Sequence, residues 1–281
     1  MSRMHRDRVR THSRRRILIQ TAAALLLNGY AAGFLHGKIW TGRSKAICVP
    51  VLNCYSCPAA LGACPIGAMQ AAAGSGRLPF YAAGTLALVG MLLGRLACGM
   101  LCPFGFIQDL LYRIPTKKLT VPRRADRILR YVKYAILLIF VLLLPMLITD
   151  ALGSGAPWFC KYICPAGTLE GGIPLLLLNP ALREQAGWLF GWKMLLLLLT
   201  VIGAAYISRF FCRYLCPLGA FYALFNRLSV YQMTLDRACC TGCAKCERVC
   251  PMQVEVRKSL CSGECIRCGK CKAACPEQAI K

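Results

Sequence analysis

Near its C-terminus the chain runs Cys240-Thr-Gly-Cys243-Ala-Lys-Cys246-Glu-Arg-Val-Cys250-Pro251 and then Cys265-Ile-Arg-Cys268-Gly-Lys-Cys271-Lys-Ala-Ala-Cys275-Pro276. Three thiolates spaced two residues apart can wrap three irons of a 4Fe-4S cube, and the fourth cysteine of each run reaches the other cube. The spacing therefore predicts two clusters, one on Cys240, Cys243, Cys246 and Cys275 and one on Cys265, Cys268, Cys271 and Cys250. Structural zinc on Cys-x2-Cys pairs would not require the x3-Cys-Pro ending. Cys239 and Cys261 fall outside the pattern and are expected as small buried side chains.

Upstream the composition changes. Of 281 residues 57% are hydrophobic and 16% charged, and the apolar residues fall in blocks that approach the roughly 20 needed to cross a hydrocarbon core. Blocks at 17–35, 80–97, 132–149 and 188–207 predict an all-α transmembrane bundle of four helices, followed by a small α+β ferredoxin-type domain. The expected division is a basic tail at 1–16, the bundle at 17–227 and the cysteine-rich domain at 228–281. The apolar stretch 174–178, bracketed by Pro174 and Pro180, is too short to span and is expected to be interfacial or re-entrant.

The net charge of +24 does not point to nucleic acid, because the basic residues flank the apolar blocks instead of forming a domain of their own. Seven arginines precede the first block, and the segment 113–133 holds eight Lys or Arg, whereas 150–187 holds only Lys161 and Arg183. Both termini are thus expected on the cytoplasmic side of an inner membrane. Arg14-Arg15-Arg16 also resembles a twin-arginine export signal, although the later blocks favour a multi-pass chain.

Two further motifs match position for position: Arg95-x2-Cys98-x3-Cys102-Pro103-x-Gly105 and Arg209-x2-Cys212-x3-Cys216-Pro217-x-Gly219. With two spans before each copy, the bundle reads as two related hairpins. Cysteines four apart share a helix face, so Cys98, Cys102, Cys212 and Cys216 form a candidate metal or cluster site, with free thiols or helix packing as the alternative. Arg95 and Arg209 either neutralise that centre or a quinone headgroup, or snorkel at the interface; snorkelling is the simpler expectation. A second group, Cys48, Cys54, Cys57, Cys64, Cys160 and Cys164, lies in the segments expected outside, where a further centre and disulfides are both open. Trp158, Trp188 and Trp192 read as interfacial anchors.

His5, His12 and His36 are the only histidines and none lies within a span interior, so bis-histidine haem is excluded, and there is no phosphate-binding loop.

On these motifs and spans the chain resembles the membrane-bound polyferredoxins typified by NapH, related to the membrane parts of NosR and CcoG. The resemblance implies electron passage between a quinol pool or cytoplasmic donors and extracytoplasmic partners, protein or flavin- or metal-containing. It leaves open whether the chain is an enzyme in its own right, such as a metal-ion reductase in the manner of CcoG, or a maturation or redox-sensing factor.

Overall fold

The computed structural model describes residues 3–151 and 153–281. Its elements are helices, with no strand among the described residues. Helix α1 covers Arg3–Leu27, α2 Ala32–His36, α3 Pro65–Gly74 and α4 Phe80–Leu93. The short α5, Leu96–Met100, leads into α6, Pro103–Leu111. Helix α7 is continuous over Arg123–Leu147, with a π-helical stretch at 137–143. Then come α8, Trp158–Tyr162, α9, Gly167–Leu178, α10, Pro180–Glu184, and α11, Trp188–Tyr206. The last elements are α12, Phe210–Tyr214, α13, Pro217–Phe225, α14, Lys245–Arg248, and α15, Lys270–Ala274.

Two helices, α7 with 25 residues and α11 with 19, are long and apolar enough to cross a membrane. Helices α4 and α9 are apolar but shorter. Block 80–97 stops being one helix at Gly94, whose φ of +57° suits glycine and ends α4. Block 17–35 is broken after Leu27 by Asn28-Gly29-Tyr30, two of whose residues are weak helix formers. Of the residues expected as a basic tail, 3–16 form the first half of α1, which packs on α15 of the cysteine-rich segment, and 1–2 lie outside the described residues. Stretch 174–178 is the end of α9 and not an isolated segment.

The expected α+β character of the tail is not found. Leu235 and Ile280 form a single antiparallel bridge, and turns do the rest. Those turns repeat with the sequence: Gly242 and Arg267, Ala244 and Gly269, and Gln253 and Gln278 all have positive φ at matching offsets in the two cysteine runs. Left-handed residues at loop positions around a site turn backbone N–H groups toward it, which suits an anionic centre.

One continuous core joins bundle and tail, reaching from Cys48, Cys64 and Cys164 through Cys98, Cys102 and Cys216 to Met252, Ile266 and Cys268. At the contact, a Cβ on Gly99 would lie 2.2 Å from the Ile266 carbonyl oxygen, so the two backbones meet where only glycine fits. Buried charges fasten the same boundary. Glu264 of the tail pairs with Arg95 at 3.0 Å and with Lys133 at 2.5 Å, both cations having fully buried side chains. Arg213 pairs with Asp126 at 2.5 Å and donates to Gln253 of the tail at 2.7 Å. Asn226 donates to the carbonyls of Ser262 and Cys265.

Candidate iron–sulfur sites

In the tail, Cys240, Cys243, Cys246 and Cys275, together with Cys239, line one cavity, and Cys250, Cys265, Cys268 and Cys271 line another. The fourth cysteine of each run has crossed to the other group, as spacing alone suggests. Cys239 is exposed, contrary to the expectation of a buried side chain, and Cys261 is half-buried. The Cys261 sulfur lies 3.2 Å from the Met233 carbonyl. Burial pushes the Cys265 thiol up to about 11.

In the bundle, Cys98 and Cys102 on α5–α6 meet Cys212 and Cys216 on α12–α13, all four buried and each within electrostatic reach of the others. This is the proximal site, next to the tail. Local sequence explains its geometry. Cys102 and Cys216 cap α6 and α13, each accepting a 3.4 Å hydrogen bond from the N–H of the glycine three residues on, with proline in the first turn. A sulfur there faces the positive end of the helix dipole.

Arg95 and Arg209 do not snorkel. Both are fully buried, and each crosses to the opposite repeat: Arg209 donates to the Cys98 carbonyl at 2.6 Å and Arg95 to the Cys212 carbonyl at 3.5 Å. Asp109 pairs with Arg209 at 2.6 Å and with Arg16 of α1 at 2.5 Å. These guanidiniums hold the Asp109 carboxyl well below the usual carboxylate range despite its burial. Each guanidinium thus lies beside the four cysteines and is itself held by a carboxylate, Arg95 by Glu264 and Arg209 by Asp109.

A distal site gathers Cys54, Cys64, Cys160 and Cys164 round a cavity of about 220 Å³, with Lys193 at its wall. Cys57 and Cys48 do not line that cavity; Cys57 packs with Ala59 and Ala60, and Cys48 is part of the main core. No disulfide joins any of the twenty cysteines. Burial, with Glu170 close by, pushes the Cys54 thiol up to about 12.

The two bundle sites are copies of one design. Gln108 donates to the Cys212 sulfur at 3.1 Å and accepts the Phe211 N–H at 3.0 Å. Gln70 does the same for Cys160, at 3.1 Å, and for the Phe159 N–H, at 2.8 Å. Cys164 accepts from Gly167 N–H at 3.4 Å, as Cys102 and Cys216 do from their glycines. Sequence reasoning missed both glutamines, although Cys64-Pro-x-Gly-x2-Gln70 and Cys102-Pro-x-Gly-x2-Gln108 are the same motif. Leu52 both lines the distal cavity and has its carbonyl 3.9 Å from the Cys102 sulfur, so the segment 49–53 lies between the two groups.

The donor sets fit a cluster better than a lone ion. Among the described residues no three His, Cys, Asp or Glu side chains converge closely enough for a single metal, while a cube spreads its thiolates apart. Near the distal site Glu170 Oε1 and both polar side-chain atoms of Asn53 are buried without a partner, which marks a place built around a missing group.

Models of 4Fe-4S binding domains match residues 78–122, 134–174 and 188–231, and a second such model matches 262–281. The first three segments carry the cysteine pairs 98/102, 160/164 and 212/216. Over 184 residues the chain is 33% identical to the uncharacterized protein MJ0749 of Methanocaldococcus jannaschii, covering 63% of this chain and 60% of that one. Over 186 residues it is 30% identical to MJ0750 of the same organism, covering 64% and 68%. It is 30% identical to the methylamine utilization ferredoxin-type protein MauN of Paracoccus denitrificans over 176 residues, 59% of this chain and 54% of MauN. The alignments thus span about half to two thirds of these relatives. No solved structure matches.

Fold and cysteine sites together define an iron–sulfur protein of ferredoxin type, related to electron-transport proteins. The chain belongs to the same family as MJ0750 and itself carries the 4Fe-4S binding domain matches.

Proposed function

We propose that the chain is a membrane-bound electron-transfer protein with four 4Fe-4S centres in line. Cys240, Cys243, Cys246 and Cys275 hold the first, Cys250, Cys265, Cys268 and Cys271 the second, and the proximal and distal bundle cysteines the third and fourth. Such centres supply one-electron chemistry at potentials set by hydrogen bonds, burial and net charge. The observation that carries the proposal is continuity: Gly99, next to Cys98, packs on the Ile266 carbonyl two residues before Cys268, and Leu52, which lines the distal cavity, has its carbonyl 3.9 Å from the Cys102 sulfur of the proximal group.

Helices α7 and α11, with α4 and the paired segments α1–α2, form the membrane bundle at 17–227, and the tail at 228–281 lies with the N-terminus on the cytoplasmic side of an inner membrane. The basic segment 113–133 supports that orientation. The likeness to polyferredoxins typified by NapH supports redox partner proteins, or quinol, at the far end. The protein's residues bind and tune the centres; they make or break no substrate bond.

The test is iron and labile sulfide per chain in anaerobically purified protein. Four centres require ~16 irons, and paired Cys→Ser changes at the proximal or the distal site should each remove ~4. About 8 irons, unchanged by those variants, would confine the clusters to the tail.

A second reading, reduction of an external metal ion, rests on the roomier distal cavity. It requires turnover of the ion without any partner protein.

A further inference from the structure

A cavity of about 720 Å³ lies between the first half of α1 and the tail, outside every cysteine site. Its walls bring together Arg8 and Arg15 of α1 with Lys272 and Lys281 of the tail, against the single carboxylate of Asp7. Lys281 is paired with Asp236 at 3.0 Å. Among the described residues Arg8, Arg15 and Lys272 have no carboxylate partner. The floor is apolar: Ala273 and Ile280 are buried there. Ile280 also lines the cavity of Cys240, Cys243, Cys246 and Cys275, so the cleft adjoins that cysteine site.

Arg16, the next residue after Arg15, is buried and satisfied by Asp109 and the Gly99 carbonyl, and it anchors α1. Arg8 and Arg15 belong to the same helix but line the cleft. A small apolar floor with a cationic rim is the pattern of a transient electrostatic docking surface, which raises encounter rates and fixes orientation without tight binding.

We propose that this cleft receives the acidic face of a soluble one-electron carrier protein and is the point where electrons enter the chain. The proposal rests on the cluster assignment to Cys240, Cys243, Cys246 and Cys275. The step is outer-sphere: the reduced carrier loses one electron, the centre on those cysteines gains it, and no bond or proton is exchanged.

The test uses the whole protein in detergent and an acidic flavodoxin in its hydroquinone form, mixed anaerobically in stopped flow while ionic strength rises from about 20 to about 300 mM. The second-order rate should fall at least about tenfold across that range. Arg8→Glu/Lys272→Glu should lower the low-salt rate by a similar factor, with iron content and photoreduction by neutral deazaflavin unchanged. The milder Arg8→Gln/Lys272→Gln pair should fall between and serves if the reversed pair loads iron poorly. A rate indifferent to salt in the unaltered protein, or to charge in an iron-replete variant, would overturn the docking proposal; the second result would assign the cations to the lipid surface. Absence of iron from the unaltered tail would instead remove the cluster assignment beneath it.

Discussion

The side-chain amide of Gln108 bridges two successive residues of the opposite repeat, its nitrogen 3.1 Å from the Cys212 sulfur and its oxygen accepting the Phe211 N–H at 3.0 Å. An N–H donated to a thiolate ligand stabilises the reduced, more negative centre. Gln108→Leu should therefore shift the proximal centre to a lower potential, while Gln70→Leu shifts only the distal one. Redox titration followed by electron paramagnetic resonance separates the two, and a common shift in both would contradict independent sites.

The contact of Gly99 with the Ile266 carbonyl allows no side chain. Gly99→Ala should push the tail away from α5, at a cost of about 1–3 kcal/mol for an overpacked contact. The visible effect is faster release of the tail by limited proteolysis and slower reduction of the bundle centres, with the tail clusters still assembled.

Glu264 gives the boundary between tail and bundle a pH dependence. Arg95 and Lys133 hold its carboxyl near about 2, against an ordinary value of 4.5, although burial alone would raise it. Because the folded value is depressed, the stabilisation is complete above pH 4.5 and drains away as the pH falls toward 2. Thermal unfolding between pH 5 and 2 should show that loss in the unaltered protein and a flatter profile in Glu264→Gln. That variant strands two buried cations, and it should be less stable at neutral pH by about 3–5 kcal/mol.

Cluster assembly should release protons. Burial raises the Cys54 thiol to about 12 and Cys265 to about 11, so both are protonated at neutral pH until iron displaces the proton. Anaerobic reconstitution in weak buffer with an indicator dye should report acidification that grows with the number of sites loaded. Loading should weaken as pH falls, by about tenfold per unit for each proton released.

The grouping of the tail cysteines was legible because neighbours are two or three residues apart and only the last cysteine of each run lines the other cavity. The gathering of Cys98, Cys102, Cys212 and Cys216 was legible through the duplicated Cys-x3-Cys-Pro motif. The burial of Arg95 and Arg209 was not, since their acidic partners Glu264 and Asp109 stand 169 and 100 positions away, and an arginine at a span's end looks the same whether it meets water or a carboxylate. Membership of the distal site was ambiguous for a similar reason. Six cysteines share that region, and only the placement of 49–53 between the two groups decides that Cys54 and Cys64 face the cavity while Cys57 and Cys48 do not. The span at 17–35 was overdrawn because an apolar average conceals the break at Asn28-Gly29.

The tail is fastened on several sides at once: by α1 along α15, by Glu264 beneath, and by Asn226 and Gln253 at its flanks. A domain so held has no slack with which to swing between a distant donor and the bundle. On the proposed function, electrons would then pass between centres held at fixed separations, and control of flux would fall to the abundance and charge of the carrier that delivers them.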